Sequence, residues 1–405
     1  MGLSTLNLNS LYKRSPLKVL IISITSMLGL AACMTTQTMG EANLDKIQSS
    51  KQYSDGKFIN TNKTSEQNLS KMWTAGKDFL FNKHERAVPT LPLPIKPVEV
   101  TSFDLSDKKA LRFTRLGHSS MMIQISGKII LTDPVFSERT SPVQWAGPKR
   151  FHPVPLNIND IAEVEAVVIS HNHFDHLDQG SIDQLKDKVN HFVVPLGIGQ
   201  ALLNWGVAPN KITELDWWDS IKFHDIELVA TPAQHFSGRG LFDRDETLWA
   251  SWVIRNQEHS LFFSGDTGYF DGFKQIGEKY GPFDYAFMEC GAYNQIWRDI
   301  HMMPEDTVQA FQDIKGKVLI PVHNGTFDLS THAWFDPFLQ IEKLAKENNI
   351  ALMTPVMGEI IDKQQAFINY AWWEPYLSED AKISLKHQRE QELANATTVV
   401  ENRLN

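Results

Sequence analysis

From residue 101 to about residue 363, short apolar runs rich in β-branched residues alternate with stretches whose apolar positions recur at helical spacing. The runs at 121–125, 129–132, 166–170, 191–195, 227–231, 252–255, 260–264 and 318–321 predict strands. Those at 180–185, 198–205, 304–314 and 335–348 predict helices. Strands and helices interleaved in this way imply an α/β layered architecture. No fixed-period repeat interrupts the pattern.

The flanks differ. Val19 to Ala32 form an apolar run behind Lys13, Arg14 and Lys18, shorter than the ~20 residues a bilayer crossing needs, so residues 1–32 read as an export signal. Residues 33–65 are rich in Thr, Ser, Gln and Asn and poor in aromatics, the composition of a flexible tether. Leu69, Met72, Trp73, Phe79 and Leu80 fall at roughly helical spacing, predicting an amphipathic helix over 69–81 before a Pro-punctuated arm, together 66–100. Trp372, Trp373 and Tyr376 read as core or docking residues at the start of a tail over 364–405, and the charged stretch 378–393 reads as a solvated helix.

With 42% hydrophobic and 21% charged residues the composition is that of a globular body, and the net charge of -9 disfavours nucleic acid as a partner. Two cysteines are present, Cys33 and Cys290. The sequence Leu30-Ala31-Ala32-Cys33 resembles the lipobox of bacterial lipoproteins, which implies that Cys33 is acylated and becomes the first mature residue. A chance apolar start with a buried cysteine is the other reading. Met34 in place of Asp implies sorting to the outer membrane, facing the periplasm. Cys290 is then left without a partner and is expected to be a buried small hydrophobe.

Candidate chemistry concentrates in His171-Asn172-His173-Phe174-Asp175-His176, where four metal-ligand side chains occupy six positions just past an apolar run. One divalent ion of the zinc type needs three or four such donors, so this segment requires partners from elsewhere in the chain. His235, Asp266 and His323 each lie just past another apolar run. Taken singly, His235 or His323 is more often a hydrogen-bonded core histidine and Asp266 more often a turn former; their shared position at strand ends makes them a joint candidate.

The H-x-H-x-D-H run followed by His, Asp and His resembles the metallo-β-lactamase superfamily. That resemblance implies a four-layer αβ/βα sandwich. It implies one metal held by His171, His173 and His235, a second by Asp175, His176 and His323, and Asp266 bridging both. Zinc is the expected ion in both positions, and iron or manganese suits the same donors. A narrower resemblance covers 69–361 through Leu116-Gly117-His118-Ser119-Ser120, Thr132-Asp133-Pro134, Gly147-Pro148-Lys149-Arg150-Phe151, Gly265-Asp266-Thr267-Gly268-Tyr269 and Gly325-Thr326-Phe327. These are similar to the N-acyl-phosphatidylethanolamine-hydrolysing phospholipase D family. Asn324 departs from it, since animal members carry Trp there. His301, in His301-Met302-Met303-Pro304-Glu305, matches a histidine that in the family lies by the substrate phosphate.

The resemblance implies a two-metal phosphodiesterase acting on a phospholipid from a lipid-anchored position, releasing N-acylethanolamine and phosphatidic acid. Asp266 and His301 are its candidate catalytic residues. His118 and Asp178 are candidate supports of the ligand imidazoles, and Asp178 reads equally as a helix cap. Lys149 and Arg150 read as a phosphate-neutralising pair or as a solvated loop. A lactonase or small-ester hydrolase on the same scaffold, and a non-catalytic metal-binding envelope lipoprotein, are the competing readings.

Overall fold

The computed structural model describes residues 44–62, 77, 83–387 and 389–391. The signal-like segment, Cys33 and all of the expected 69–81 helix except Lys77 lie outside the described residues. Among the described residues no helix is long and apolar enough to cross a membrane.

Two seven-stranded mixed sheets dominate. The first runs, edge to edge, β16 (Ile361–Asp362), β3 (Arg112–Gly117), β4 (Ser120–Ile125), β5 (Lys128–Thr132), β6 (Val164–Val168), β7 (Val189–Pro195) and β8 (Ile212–Leu215). The second runs β15 (Ala351–Leu352), β14 (Val318–Val322), β13 (Tyr285–Glu289), β12 (Ser260–Phe263), β11 (Ser251–Arg255), β10 (Ile226–Thr231) and β9 (Ser220–Phe223). Each sheet is antiparallel in one part and parallel in the other. Parallel neighbours need crossover connections, and helices supply them. These include α2 (Gln179–Leu185) and α3 (Gly199–Asn204) on the first sheet, and α4 (Gly272–Lys279), α5 (Pro304–Asp313) and α6 (Asp336–Glu347) on the second.

Three apolar layers result. Between the sheets pack Phe113, Ile123, Ile130, Val168, Leu228, Trp252, Phe263 and Phe287. Leu131, Val167, Phe192, Ile182 and Leu202 fill the space between the first sheet and its helices, and Val253, Phe262, Met288, Phe273, Phe311 and Ile341 do so on the second. Strands covered on both faces are buried along their whole length, as Val164–Val168 is, with Glu165 its one polar residue, which explains why runs of hydrophobics marked them better than alternation did. The molecule is a four-layer αβ/βα sandwich.

All twelve elements expected between residues 101 and 363 are present, with ends shifted by a few residues. Several unexpected strands have physical reasons for escaping notice. Strand β3 carries Arg112 and Arg115; Arg115 is fully buried and donates from Nη2 to Asn324 Oδ1 at 2.9 Å. Strand β13 ends on Glu289, also fully buried.

The tether expectation is corrected within residues 44–62. Helix α1 (Leu44–Ser49) and the hairpin β1 (Tyr53–Ser54) with β2 (Lys57–Phe58) lie against the body. Ile47 and Phe58, 1% and 2% exposed, join the core between the sheets. Two well-placed apolar side chains anchor a segment whose average composition is polar. At the other end, Trp372 and Trp373 are buried against Phe338, and Leu377 and Ala381 are buried beside them. The helical stretch over 379–387 is therefore solvated on one face only.

Phe58→Ala is expected to lower the unfolding free energy by about 3 kcal/mol, the usual cost of emptying a buried aromatic site. Urea denaturation checks this; a loss under about 1 kcal/mol would mean the segment is not part of the core.

Candidate metal centre

Candidate donor residues leave the body at the carboxyl ends of strands from both sheets. Residues 171–176 follow β6, His235 follows β10, Asp266 follows β12 and His323 follows β14. Backbone geometry there is special. His118, Asp133 and His323 adopt φ of 53°, 36° and 64°, in the left-handed region that ordinary residues avoid and functional sites tolerate. Gly265 has φ +57°, and a Cβ on it would lie 2.5 Å from Ser170 Cβ, so only glycine lets the Asp266 turn approach the 171–176 loop.

All seven candidate ligands come together. Donor atoms of His171, His173 and His235 form one group, and those of Asp175, His176 and His323 with His118 form another. Asp266 lies between them: its Oδ2 is 3.9 Å from both His171 Nε2 and His235 Nε2, 3.1 Å from His176 Nε2 and 3.0 Å from His323 Nε2. His171 Nε2 is only 2.8 Å from His173 Nδ1, and His235 Nε2 is 3.3 Å from the same atom.

The second ring nitrogens explain which atoms face inward. His176 Nδ1 donates to Asp133 Oδ2 at 2.7 Å, and His235 Nδ1 donates to the Ile300 carbonyl at 2.9 Å. His171 Nδ1 donates to Ser170 Oγ at 2.9 Å, and that hydroxyl donates to Asp133 Oδ2 at 2.6 Å. Each bond fixes a tautomer that turns the Nε2 lone pair toward Asp266. Asn60, from the corrected segment, grips the backbone of His235 on both sides: its Nδ2 donates to the His235 carbonyl at 2.8 Å and its Oδ1 accepts from the His235 N–H at 3.1 Å.

Burial, reinforced by neighbouring imidazoles, holds His171 and His235 well below the usual histidine range. Burial also lowers His173, to about 4, and with His323 it takes His118 to about 3. These rings are neutral donors. The other half behaves oppositely. Burial opposes charge on His176 and His323, yet Asp266 and Asp175 overcome it, raising His176 well above its ordinary value and His323 to about 9. Burial likewise opposes ionisation of Asp175 and Asp266, but the adjacent imidazoles hold both carboxyls well below the usual carboxylate range.

This arrangement fits metal cations. Asp266 Oδ1 is buried without a hydrogen-bond partner among the described residues, and His176 Nε2 and His323 Nε2 touch Asp266 Oδ2 without a well-aligned hydrogen bond, a costly state for polar atoms. Clustered lone pairs and two buried carboxylates call for positive charge at their centre, which divalent ions supply.

His118 Nε2 sits 3.0 Å from Asp175 Oδ2, in contact with a candidate ligand. Of the two readings of Asp178, the structure shows the helix cap and not the imidazole support: it caps α2, accepting from Gly180 N and Ser181 N, and also accepts from Ser137 N and Oγ. The carboxylate that orients an imidazole is Asp133, which follows β5 just as the ligands follow their strands, so the same strand-end rule could have found it. His301 Nδ1 is hydrogen-bonded to Glu289 Oε1, and nothing in the sequence singled out Glu289. Lys149 pairs with Glu138 at the surface, whereas Arg150 donates to the carbonyls of Val135 and Leu116, so neither expected reading of that pair describes Arg150. Cys290 is buried and free, its thiol pushed up by burial.

Comparison with known proteins agrees with this architecture. The model of the beta-lactamase superfamily domain matches residues 128–324. A Mycobacterium tuberculosis protein is 38% identical over 336 residues, covering 80% of this chain and 88% of its own. N-acyl-phosphatidylethanolamine-hydrolyzing phospholipase D 1 of Caenorhabditis elegans is 34% identical over 279 residues, covering 64% of this chain and 78% of its own. Outer membrane protein RomA of Klebsiella pneumoniae is 49% identical over 94 residues, 23% of this chain and 70% of its own. The fold is shared with isothiocyanate hydrolase from Delia radicum gut bacteria, at a TM-score of 0.50 and 18% identity over 64% of this chain and 100% of that one. Strand-end donors gathered between two sheets, and kinship across most of the worm phospholipase, lead to one assignment: the chain belongs to the metallo-β-lactamase superfamily and is a metal-dependent hydrolase.

Proposed function

We propose that the protein is a two-zinc phosphodiesterase of phospholipase D type that releases N-acylethanolamine and phosphatidic acid from N-acyl-phosphatidylethanolamine. His171, His173 and His235 would hold one ion and Asp175, His176 and His323 the other, with Asp266 available to both. Such a pair would supply Lewis acidity and lower the pKa of a bound water. The observation that carries the reading is the position of Asp266 Oδ2, within 4 Å of imidazole nitrogens from both donor groups.

The chain's own groups do the rest. Asp133, Ser170 and Ile300 hold the imidazoles in the donor tautomer, so no reorganisation is required when charge develops on the substrate. His301 lies beside both groups, its ring centroid 5.0 Å from that of His235 and 5.5 Å from that of His323, where it can hold a phosphoryl oxygen or protonate the leaving one. A lipid substrate is supported by the C. elegans relative and by exposed apolar side chains on the loops framing the centre. Trp145 on the loop after β5 is 67% exposed, and Leu241 and Phe242 on the loop after β10 are 54% and 79% exposed. Apolar surface of this kind suits contact with lipid. An envelope location, through a lipid on Cys33, is supported by the lipobox-like leader and by the name of the RomA relative.

The purified protein is expected to cleave N-acyl-phosphatidylethanolamine and simple phosphodiesters in preference to acyl lactones, read by product chromatography; turnover of lactones alone would remove the phospholipase reading. Asp266→Asn should reduce both metal content and turnover, the latter by at least about 100-fold, because it weakens both ion sites together. Plasma emission spectrometry beside activity assays checks this, and unchanged values for both would contradict the shared-ligand role. Asp133→Asn should weaken the ion at Asp175, His176 and His323 about 10- to 100-fold in chelator competition and the ion at His171, His173 and His235 less, because Asp133 bonds His176 directly and His171 only through Ser170. Equal weakening of both ions would count against the division of ligands.

A further inference from the structure

Glu289 is fully buried at the end of β13 and takes no part in the mechanism above. Its position is over-determined. Its N–H donates to Ser264 Oγ at 2.8 Å, its carbonyl accepts from Thr307 Oγ1 at 2.8 Å, and its Oε2 accepts from Thr267 N at 2.6 Å. The remaining oxygen, Oε1, is bonded to His301 Nδ1. With both carboxyl oxygens engaged, Glu289 is poorly disposed to serve as a metal ligand, although it lies near Asp266 and His323. His301 is left with one ring nitrogen, Nε2, which has no protein partner among the described residues. Its side chain is 15% exposed, whereas those of His235 and His323 are at most 1% exposed, so the ring stands at the mouth of the centre.

Building on the phosphodiesterase reading, we infer that Glu289 is a positioning residue for His301: it fixes the ring through Nδ1 so that Nε2 faces the substrate and delivers a proton to the leaving oxygen. As water attacks phosphorus, the P–O bond to the leaving group breaks and its electron pair goes to that oxygen, which receives the Nε2 proton. The proton shared between Glu289 and Nδ1 then rests on Nδ1, leaving a neutral imidazole beside a carboxylate stabilised by the Thr267 N–H. The proton lost by the attacking water restores the pair. A rigid carboxylate behind a catalytic imidazole serves to hold its tautomer and orientation.

A double-mutant cycle on the metal-loaded protein tests this, using Glu289→Gln, His301→Ala and the double variant. Rates are read on N-acyl-phosphatidylethanolamine, whose alkoxide leaving group needs a proton, and on bis(4-nitrophenyl) phosphate, whose leaving group does not. Glu289→Gln should lower kcat on the lipid by about 100-fold and on the aryl diester far less, with little change in KM. Two zinc ions per chain should be retained, and the double variant should be no slower than His301→Ala. Equal losses on both substrates, multiplicative losses in the double variant, or loss of a zinc ion from Glu289→Gln would overturn the inference. Proton NMR gives a readout that needs no turnover: a downfield resonance from the His301 Nδ1 hydrogen bond should be present in the wild type and lost or shifted upfield in both single variants. A wild type inactive on both diesters but carrying that resonance would sink the phosphodiesterase reading and leave the pairing standing; absence of the resonance from the wild type would sink the pairing.

Discussion

Two carboxylates buried among imidazoles cannot persist in a protein interior without compensating positive charge, and the rest of the structure follows from that requirement. Asp266 is almost wholly buried and Asp175 largely so, which leaves solvent little room to screen them. Without cations, protons on His176 and His323 answer their charge, while His171, His173 and His235 stay neutral with lone pairs crowded together. The asymmetry is informative. One half of the centre offers neutral nitrogen donors and the other offers carboxylate with nitrogen, so the two positions present different electrostatic environments to their ions.

The sandwich is the means of enforcing this arrangement. Donors come from the ends of β6 in one sheet and β10, β12 and β14 in the other, so the distance between sheets, set by the packing of Phe113, Val168, Trp252 and Phe287, also sets the distance between donor groups. Some of the local backbone strain lies where the strand ends of the two sheets meet. Positive φ at His118, Asp133 and His323, and the close approach of Gly265 to Ser170, are tolerated because a large apolar core over-determines the backbone around them. Asn60 extends this control to the amino-terminal segment: its side chain bonds the backbone of His235 and accepts from Trp249 Nε1 at 3.0 Å. Packing at Ile47 and Phe58 thus bears on the metal centre as well as on stability.

Much of this was legible in the sequence because the same physics shapes both. Strands buried on two faces announce themselves as apolar runs, and ligand residues just past those runs, as His235, Asp266 and His323 are, announce a cleft at the strand ends. What escaped has the opposite character. Strands β3 and β13 contain buried Arg115 and Glu289, whose burial depends on partners distant in sequence, Asn324 and His301 among them. The 44–62 segment reads as a tether because its composition is polar, and only tertiary contact reveals that Ile47 and Phe58 are buried against the body. Asp178 and Asp133 illustrate the limit of spacing arguments: the carboxylate near in sequence to the ligands caps a helix, and the one 43 positions from His176 orients it.

The most direct test is anomalous X-ray diffraction at the zinc edge from crystals of the zinc-loaded protein. The account predicts two peaks of similar height, one enclosed by His171, His173 and His235 and the other by Asp175, His176 and His323, with the Asp266 carboxylate between them. A single peak, or peaks from which Asp266 or His323 points away, would contradict it.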